Sequence, residues 1–195
     1  MLMVGTDPEV VESDLVGGLL ACPSCQGVLG PWAHGRWRAL RRRGGKEDSV
    51  RPRRSICRGC RKTHLLLGND GLVRRRDEVA VIGEAIEAKV AGDGHRRIAA
   101  RLGVPDWMVR RWLRRFAERA VAIREHFTRW AHALDVSLGP LGPGRGAFAD
   151  AVEAIGAAAR AAVLRFGPGP VWPWAAFVSG GVLLCNTKCP LPPVP

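Results

Sequence analysis

A chain of 195 residues with 30 Lys and Arg against 18 Asp and Glu carries a formal charge of +12. That length has room for one or two small domains with a real core. The charge points to a polyanionic partner, because fixed positive groups attract phosphate and release its counterions.

The basic surplus sits in the first 120 residues, and arginine supplies almost all of it. A planar guanidinium fork suits phosphate and guanine better than an ammonium does, although a high-GC genome also raises arginine content. Residues 1–20 carry Asp7, Glu9, Glu12 and Asp14 with no basic group. They read as a flexible acidic lead with at most a short helix, and no export signal is expected, which places the chain in the cytoplasm, at the nucleoid.

In that compartment cysteines read as metal ligands before they read as disulfides. Cys22-Pro23-Ser24-Cys25 and Cys57-Arg58-Gly59-Cys60 are two C-x-x-C pairs separated by a 31-residue gap. Each pair can form a tight knuckle, and four thiolates close a tetrahedral zinc site with no position left for substrate. Cys22, Cys25, Cys57 and Cys60 are therefore the expected ligands of one structural zinc. Redox pairs or disulfides are the alternatives, disfavoured in a cytosolic chain with no thioredoxin-like pattern around them. Between the pairs, Trp32 to Leu40 and Val50 to Ile56 read as strands joined by a turn at Gly44-Gly45, and Lys62 to Leu67 reads as a third. Residues 21–68 thus make a zinc ribbon with almost no core, in which metal binding and folding are one event. His64 is expected beside the site rather than in it, and His34 is a weaker candidate still.

After the turn cluster Gly68 to Gly71, Asp77 to Val90 carries Val81, Ile82, Ala85, Ile86 and Val90 at helical spacing, with Asp77 and Glu78 in the first turn. Ile98, Ala99 and Leu102 make a short second helix closed by Gly103, and Val109, Trp112, Leu113 and Phe116 resume the stripe beyond Pro105. Advancing about 100° per residue from Val109 brings Leu113, Phe116 and Trp112 within about 60° of it. Trp107, Arg111 and Arg114 fall on the far side, flanked by Arg110. One face packs and the other is free to read something. Residues 74–118 form this three-helix head. The plainer reading is a solvated basic face on an ordinary helical pair.

The run from Gly94 to Gly103, continued by Val109 to Phe116, resembles the helix-turn-helix of transposase-related, homeodomain-like bacterial proteins. With the four cysteines and Thr63-His64 it also resembles an uncharacterised bacterial family that joins a zinc ribbon to a helix-turn-helix, over roughly residues 20–135. The motif places the second of its helices in the major groove, where arginine bonds a guanine edge with two parallel donors. Trp107, Arg110, Arg111 and Arg114 are then the base-reading candidates, and Arg96, Arg97, Arg101 and Arg115 the phosphate-binding ones. A small polar residue usually caps such a reading helix, whereas Asp106, Trp107 and Met108 stand here. Asp106 serves as a cap or first-turn acid.

From the reading helix onward, Val109, Leu113, Phe116, Ala120, Ile123, Phe127, Trp130 and Leu134 make a heptad seam that reads as one long helix or a helix broken near Ala117, and residues 119–166 add a second seam, Phe148 to Phe166, beyond a Gly/Pro-rich linker. Two such seams most simply form a helical hairpin within one chain, with homodimerisation as the rival. Residues 167–195 form a Pro/Gly-rich apolar tail, too interrupted to cross a membrane. Its Trp172, Trp174, Phe177, Leu183 and Leu184 are expected to cap the hairpin, and Cys185 and Cys189 read as thiols rather than half a metal site.

The fold class is mainly α with a small β zinc ribbon. Beyond the head, Glu125, Asp135, Asp150 and Glu153 are the acidic residues, with no sheet expected to gather them around metal ions, so no catalysis is expected. The expected function is zinc-stabilised, sequence-specific binding of double-stranded DNA, by a transcription regulator or mobile-element targeting protein. The alternatives are the non-catalytic part of a split transposase, working with a transposase-like partner, and an RNA or single-strand binder using ribbon tryptophans.

Overall fold

The computed structural model describes residues 1–142, 144–185 and 189–194. Among them the elements run β1 (Leu2–Val4), α1 (Pro8–Val16), β2 (Leu29–His34), β3 (Arg38–Arg41), β4 (Glu47–Val50), β5 (Arg53–Cys57), β6 (Thr63–Gly68), α2 (Val79–Val90), α3 (His95–Leu102), α4 (Asp106–Ala117), α5 (Ala120–Leu134), α6 (Ala147–Phe166) and α7 (Val171–Val178). Helices predominate, and the strands form two small sheets.

The larger sheet has the order β1, β6, β5, β2, with β1 parallel to β6 and the other neighbours antiparallel. The expected strand from Trp32 to Leu40 is divided. Its first part slips register between Pro31 and Ala33, because a proline has no amide to give the ladder. The Gly35 amide then bonds the Pro52 carbonyl, and beyond it β3 pairs with β4 as a separate hairpin. Gly44 and Gly45 turn that hairpin at φ 71° and 78°, a backbone region that glycine enters cheaply.

The first 20 residues are not a flexible lead. β1 adds to the sheet edge, and α1 is capped by the Asp7 carboxylate, which accepts from the Glu9 and Val10 amides. Val4, Val11 and Leu15 pack with Leu29, Leu66, Cys22 and Cys57, so the ribbon has a small core of its own. Glu12 completes the docking by accepting two bonds from Arg53, at 2.7 and 3.1 Å.

α2 starts at Val79, two residues later than the apolar spacing implies. Asp77 is drawn instead to Arg41, 3.0 Å away, and Arg42 bonds Asp48, Asp70 and Glu78. Backbone bonds from the Arg41 amide to the Arg76 carbonyl and from the Glu78 amide to the Arg41 carbonyl make this the joint between ribbon and helices.

The helices share one core running from Met3 to Leu184. Gly103 ends α3 at φ 66°, and α4 begins with Asp106 as its first-turn acid behind Pro105. α5 and α6 pack along each other within the chain, burying Ile123, Phe127 and Ala131 with Ala151, Ala154, Ile155 and Ala158. Small alanines allow that approach. The second seam departs from expectation at its end, where Phe166 is exposed.

The tail is folded, and it does more than cap the hairpin. The Trp172 indole N–H donates to Glu87 at 2.8 Å, and its ring lies over Gly83 of α2 so closely that an added Cβ would sit 2.2 Å from it. Leu183 and Leu184 are buried in the common core. A glycine inside a helix costs about 1 kcal/mol relative to alanine, so Gly83 needs a reason, and the indole supplies it.

Gly83→Ala is therefore expected to destabilise the chain by about 1–3 kcal/mol through overpacking, measured by denaturant unfolding, where surface glycine-to-alanine changes stabilise or do little. A second expectation concerns pH. Burial pushes the His126 imidazole below its usual range, with a backbone contact to Val178 pulling the other way. The unfolded chain binds that proton more readily, so this residue's contribution is complete above about pH 6.5 and is lost as pH falls below it. Unfolding titrations should show a shallower decline between about pH 7 and 5 in His126→Leu than in the parent.

Candidate functional site

Two features stand out: a cluster of four sulfurs and a basic helix face. The ligating atoms of Cys22, Cys25, Cys57 and Cys60 all lie within 4.8 Å of one another. The sequence alone puts them in two separate knuckles, and the sheet closes the distance between those knuckles. Leu29 pairs with Cys57 across β2 and β5, so the strands that follow the first pair and precede the second are neighbours.

The knuckles repeat one another. The Gln26 amide bonds the Cys22 carbonyl and the Arg61 amide bonds the Cys57 carbonyl, at 2.8 and 3.1 Å. The Cys22 amide bonds the Gly27 carbonyl and the Cys57 amide bonds the Lys62 carbonyl, at 2.8 and 2.9 Å. Gln26 and Arg61 each have positive φ, 61° and 63°, an unusual conformation for residues with a Cβ. In each case the chain must turn back at once so that both sulfurs face inward.

Cys25 Sγ is 3.5 Å from Cys57 Sγ, and Cys22 Sγ is 3.7 Å from Cys60 Sγ. Zinc–sulfur bonds of about 2.3 Å in a tetrahedron require sulfur separations of about 3.8 Å. The donor set therefore fits a four-thiolate metal site. Amides point at the sulfurs, with Ser24 N–H 3.4 Å from Cys22 Sγ and Cys60 N–H 3.4 Å from Cys57 Sγ. The Cys60 amide in particular draws the Cys57 thiol down to about 6 despite its burial. For Cys60 the Lys62 amide favours the thiolate, but desolvation and the three neighbouring thiols outweigh it and push the group up to about 11. Crowded thiolates repel, and a cation among them is what allows all four to ionise.

His64 is buried, with Nε2 3.3 Å from Cys22 Sγ and Nδ1 3.3 Å from the Met1 amino nitrogen. It stands beside the ligands, as expected, and supports one of them. His34 lines a cleft between the larger sheet and the β3–β4 hairpin. Cys185 and Cys189 have their sulfurs 3.1 Å apart in the tail, outside the cluster of four.

Sequence reasoning missed Gly27. A Cβ there would sit 3.3 Å from Cys57 Sγ and 3.4 Å from Cys25 Sγ, so the residue keeps the space over the sulfurs clear. Its place two residues after Cys25, just ahead of β2, is the signal that could have found it.

On the helices, α4 buries Met108, Val109, Trp112, Leu113 and Phe116, while Trp107, Arg110, Arg111 and Arg114 are exposed. Trp107 is about half exposed, at 53 %. Arg114 approaches Glu118 at 3.7 Å. The four expected phosphate contacts differ from one another. Arg96 is exposed on α3, but Arg101 and Arg97 reach Asp93 at 2.7 and 3.4 Å. Arg115 reaches Glu118 at 2.8 Å and is three-quarters covered. Arg75, which the apolar pattern does not single out, is pushed below its usual range by burial and by the nearby charges of Arg111 and Arg115. Its guanidinium donates to the Leu184 carbonyl, fixing the tail behind α4.

No family model, no curated protein and no solved structure matches the chain. Among the described residues, no helix is long and apolar enough to cross a membrane.

Stripping the metal with a chelator, or replacing Cys57 with serine, is expected to lower hydrogen-exchange protection strongly in residues 1–68 while most helical circular dichroism survives, since the core around the cysteines is distinct from the helical one, which takes Met3 and Leu67 from the sheet. Metal analysis of the parent should find a single equivalent. Unchanged protection in residues 1–68 after complete chelation would exclude a structural ion.

Proposed function

We propose that this chain is a zinc-stabilised, sequence-specific double-stranded DNA-binding protein, acting as a transcription regulator or as the targeting protein of a mobile element, with α3 and α4 as its helix-turn-helix. The observation that carries this reading is the division of α4. Its apolar stripe is buried, and Trp107, Arg110 and Arg111 project from the opposite side of a chain with formal charge +12. A major groove admits such a helix, and a guanidinium meets guanine O6 and N7 with two parallel donors. Four cysteines with no open position support zinc in a structural role rather than a reacting one.

The ion pairs refine the roles. Arg110 and Arg111 stand ready to read bases, and Arg114 does so at the cost of its Glu118 contact. Arg96 positions the protein on the phosphate backbone without rearrangement. Arg97 and Arg101 must leave or share Asp93 to do the same.

Selection of bound duplexes from a random pool by the metal-loaded chain is the direct test. Arg111→Ala and Arg110→Ala are expected to relax base preference, each losing about 1–3 kcal/mol on the selected site and much less on random DNA. Arg96→Ala should weaken both alike and reduce the salt slope by about 1. Absence of duplex binding at low ionic strength would overturn the reading. Preference for single-stranded probes would transfer it to the exposed Trp32 and Trp37 of the ribbon.

A further inference from the structure

Between the larger sheet and the β3–β4 hairpin lies a cleft of about 450 Å³, within the range of small-molecule sites. The metal cluster and α4 leave it unexplained. Val4, Val11, Leu40 and Leu66 form its apolar part, and four arginines line it.

Two of those arginines are neutralised within the chain. Arg53 is held by both oxygens of Glu12, and Arg42 by Asp48, Asp70 and Glu78. Arg38 is different. Its guanidinium is half-buried and donates to the Arg75 carbonyl, a neutral acceptor. Asp70, the carboxylate whose charge it feels, is committed to Arg42 at 2.7 Å. Burial accordingly pushes Arg38 below its usual range. Arg51, the remaining lining cation, lies over the Trp37 ring at 5.7 Å and donates to the Gly35 carbonyl. A desolvated guanidinium bonded to one carbonyl keeps further donors for an anion, and its fork matches a carboxylate.

We propose that this cleft is a binding site for a small organic carboxylate with an apolar body, its carboxylate on Arg38 and its body against Val4, Val11 and Leu66. The apolar wall distinguishes such a ligand from inorganic phosphate, which would leave that surface uncovered. The site goes beyond the DNA-binding reading and does not depend on it.

The test is calorimetric titration of the metal-loaded full chain, without DNA, using 2-naphthoate, acetate and inorganic phosphate as probes. 2-Naphthoate is expected to bind saturably with one site per chain, and acetate and phosphate about tenfold more weakly or less. Arg38→Gln should weaken 2-naphthoate about tenfold or more, the usual loss for a charge-assisted pair. Arg36→Gln, a change on an arginine outside the cleft lining, should leave it unchanged. Should Arg38→Gln fail to fold, Ser49→Phe narrows the cleft without removing a charge and is expected to abolish binding equally. Absence of saturable binding overturns the proposal. So does binding that survives every folded cleft variant, or phosphate binding as tight as 2-naphthoate. None of these results bears on duplex recognition.

Discussion

Four sulfurs within 4.8 Å of one another cannot all carry charge unless a cation lies among them. This constraint organises the N-terminal third of the chain. It explains two knuckles with the same amide-to-carbonyl bonds, positive φ at Gln26 and Arg61, and amides aimed at Cys22 and Cys57. The small core of Val4, Val11, Leu15, Leu29 and Leu66 packs around the two buried cysteines. Apolar burial and the four-sulfur cluster therefore fall on the same residues, Cys22 and Cys57 belonging to both.

The helical part is held differently. Its core is continuous, and the tail returns to seal it through Trp172 on Gly83 and through Leu183 and Leu184. Because α4 is gripped by its apolar stripe, its exposed arginines start from fixed backbone positions, a condition that the proposed base reading requires. Arg75 extends this grip, bonding the Leu184 carbonyl beside Arg111 and Arg115. Like charges so near one another raise the local potential for an anion.

Beside the apolar packing of Met3 and Leu67 into the helical core, ribbon and helices meet at a polar joint. Arg41 pairs with the buried Asp77, whose carboxyl burial pushes up while Arg41 holds it down, and Arg42 gathers three carboxylates. Partly buried pairs of this kind add little net stability, yet removing one partner leaves a desolvated charge. They fix orientation more than they add strength. Among the described residues Arg38, next to this joint, has no carboxylate within ion-pair distance and bonds the Arg75 carbonyl instead, which sets the cleft apart from the rest of the interface.

By itself the sequence determined what local periodicity and spacing encode. The two Cys pairs, the glycine turn at Gly103, the stripe of α4 and the two seams of α5 and α6 were legible, because helical period and knuckle spacing act over a few residues. Tertiary structure decided the rest. The acidic residues 1–20 had no periodic signal, and only the edge of β6 and the Arg53 guanidinium gave them a place. Proline and long-range bonding divided one expected strand into two, and Trp172 chose α2 over the hairpin because Gly83 leaves room for an indole. Among the arginines, the pairings of Arg97 with Asp93 and of Arg114 and Arg115 with Glu118 follow helical spacing, whereas Arg101 reaches Asp93, and Arg53 reaches Glu12, only through the folded chain. Neighbours distant in sequence cost loop entropy to assemble and leave no local mark, so pattern alone cannot reveal them.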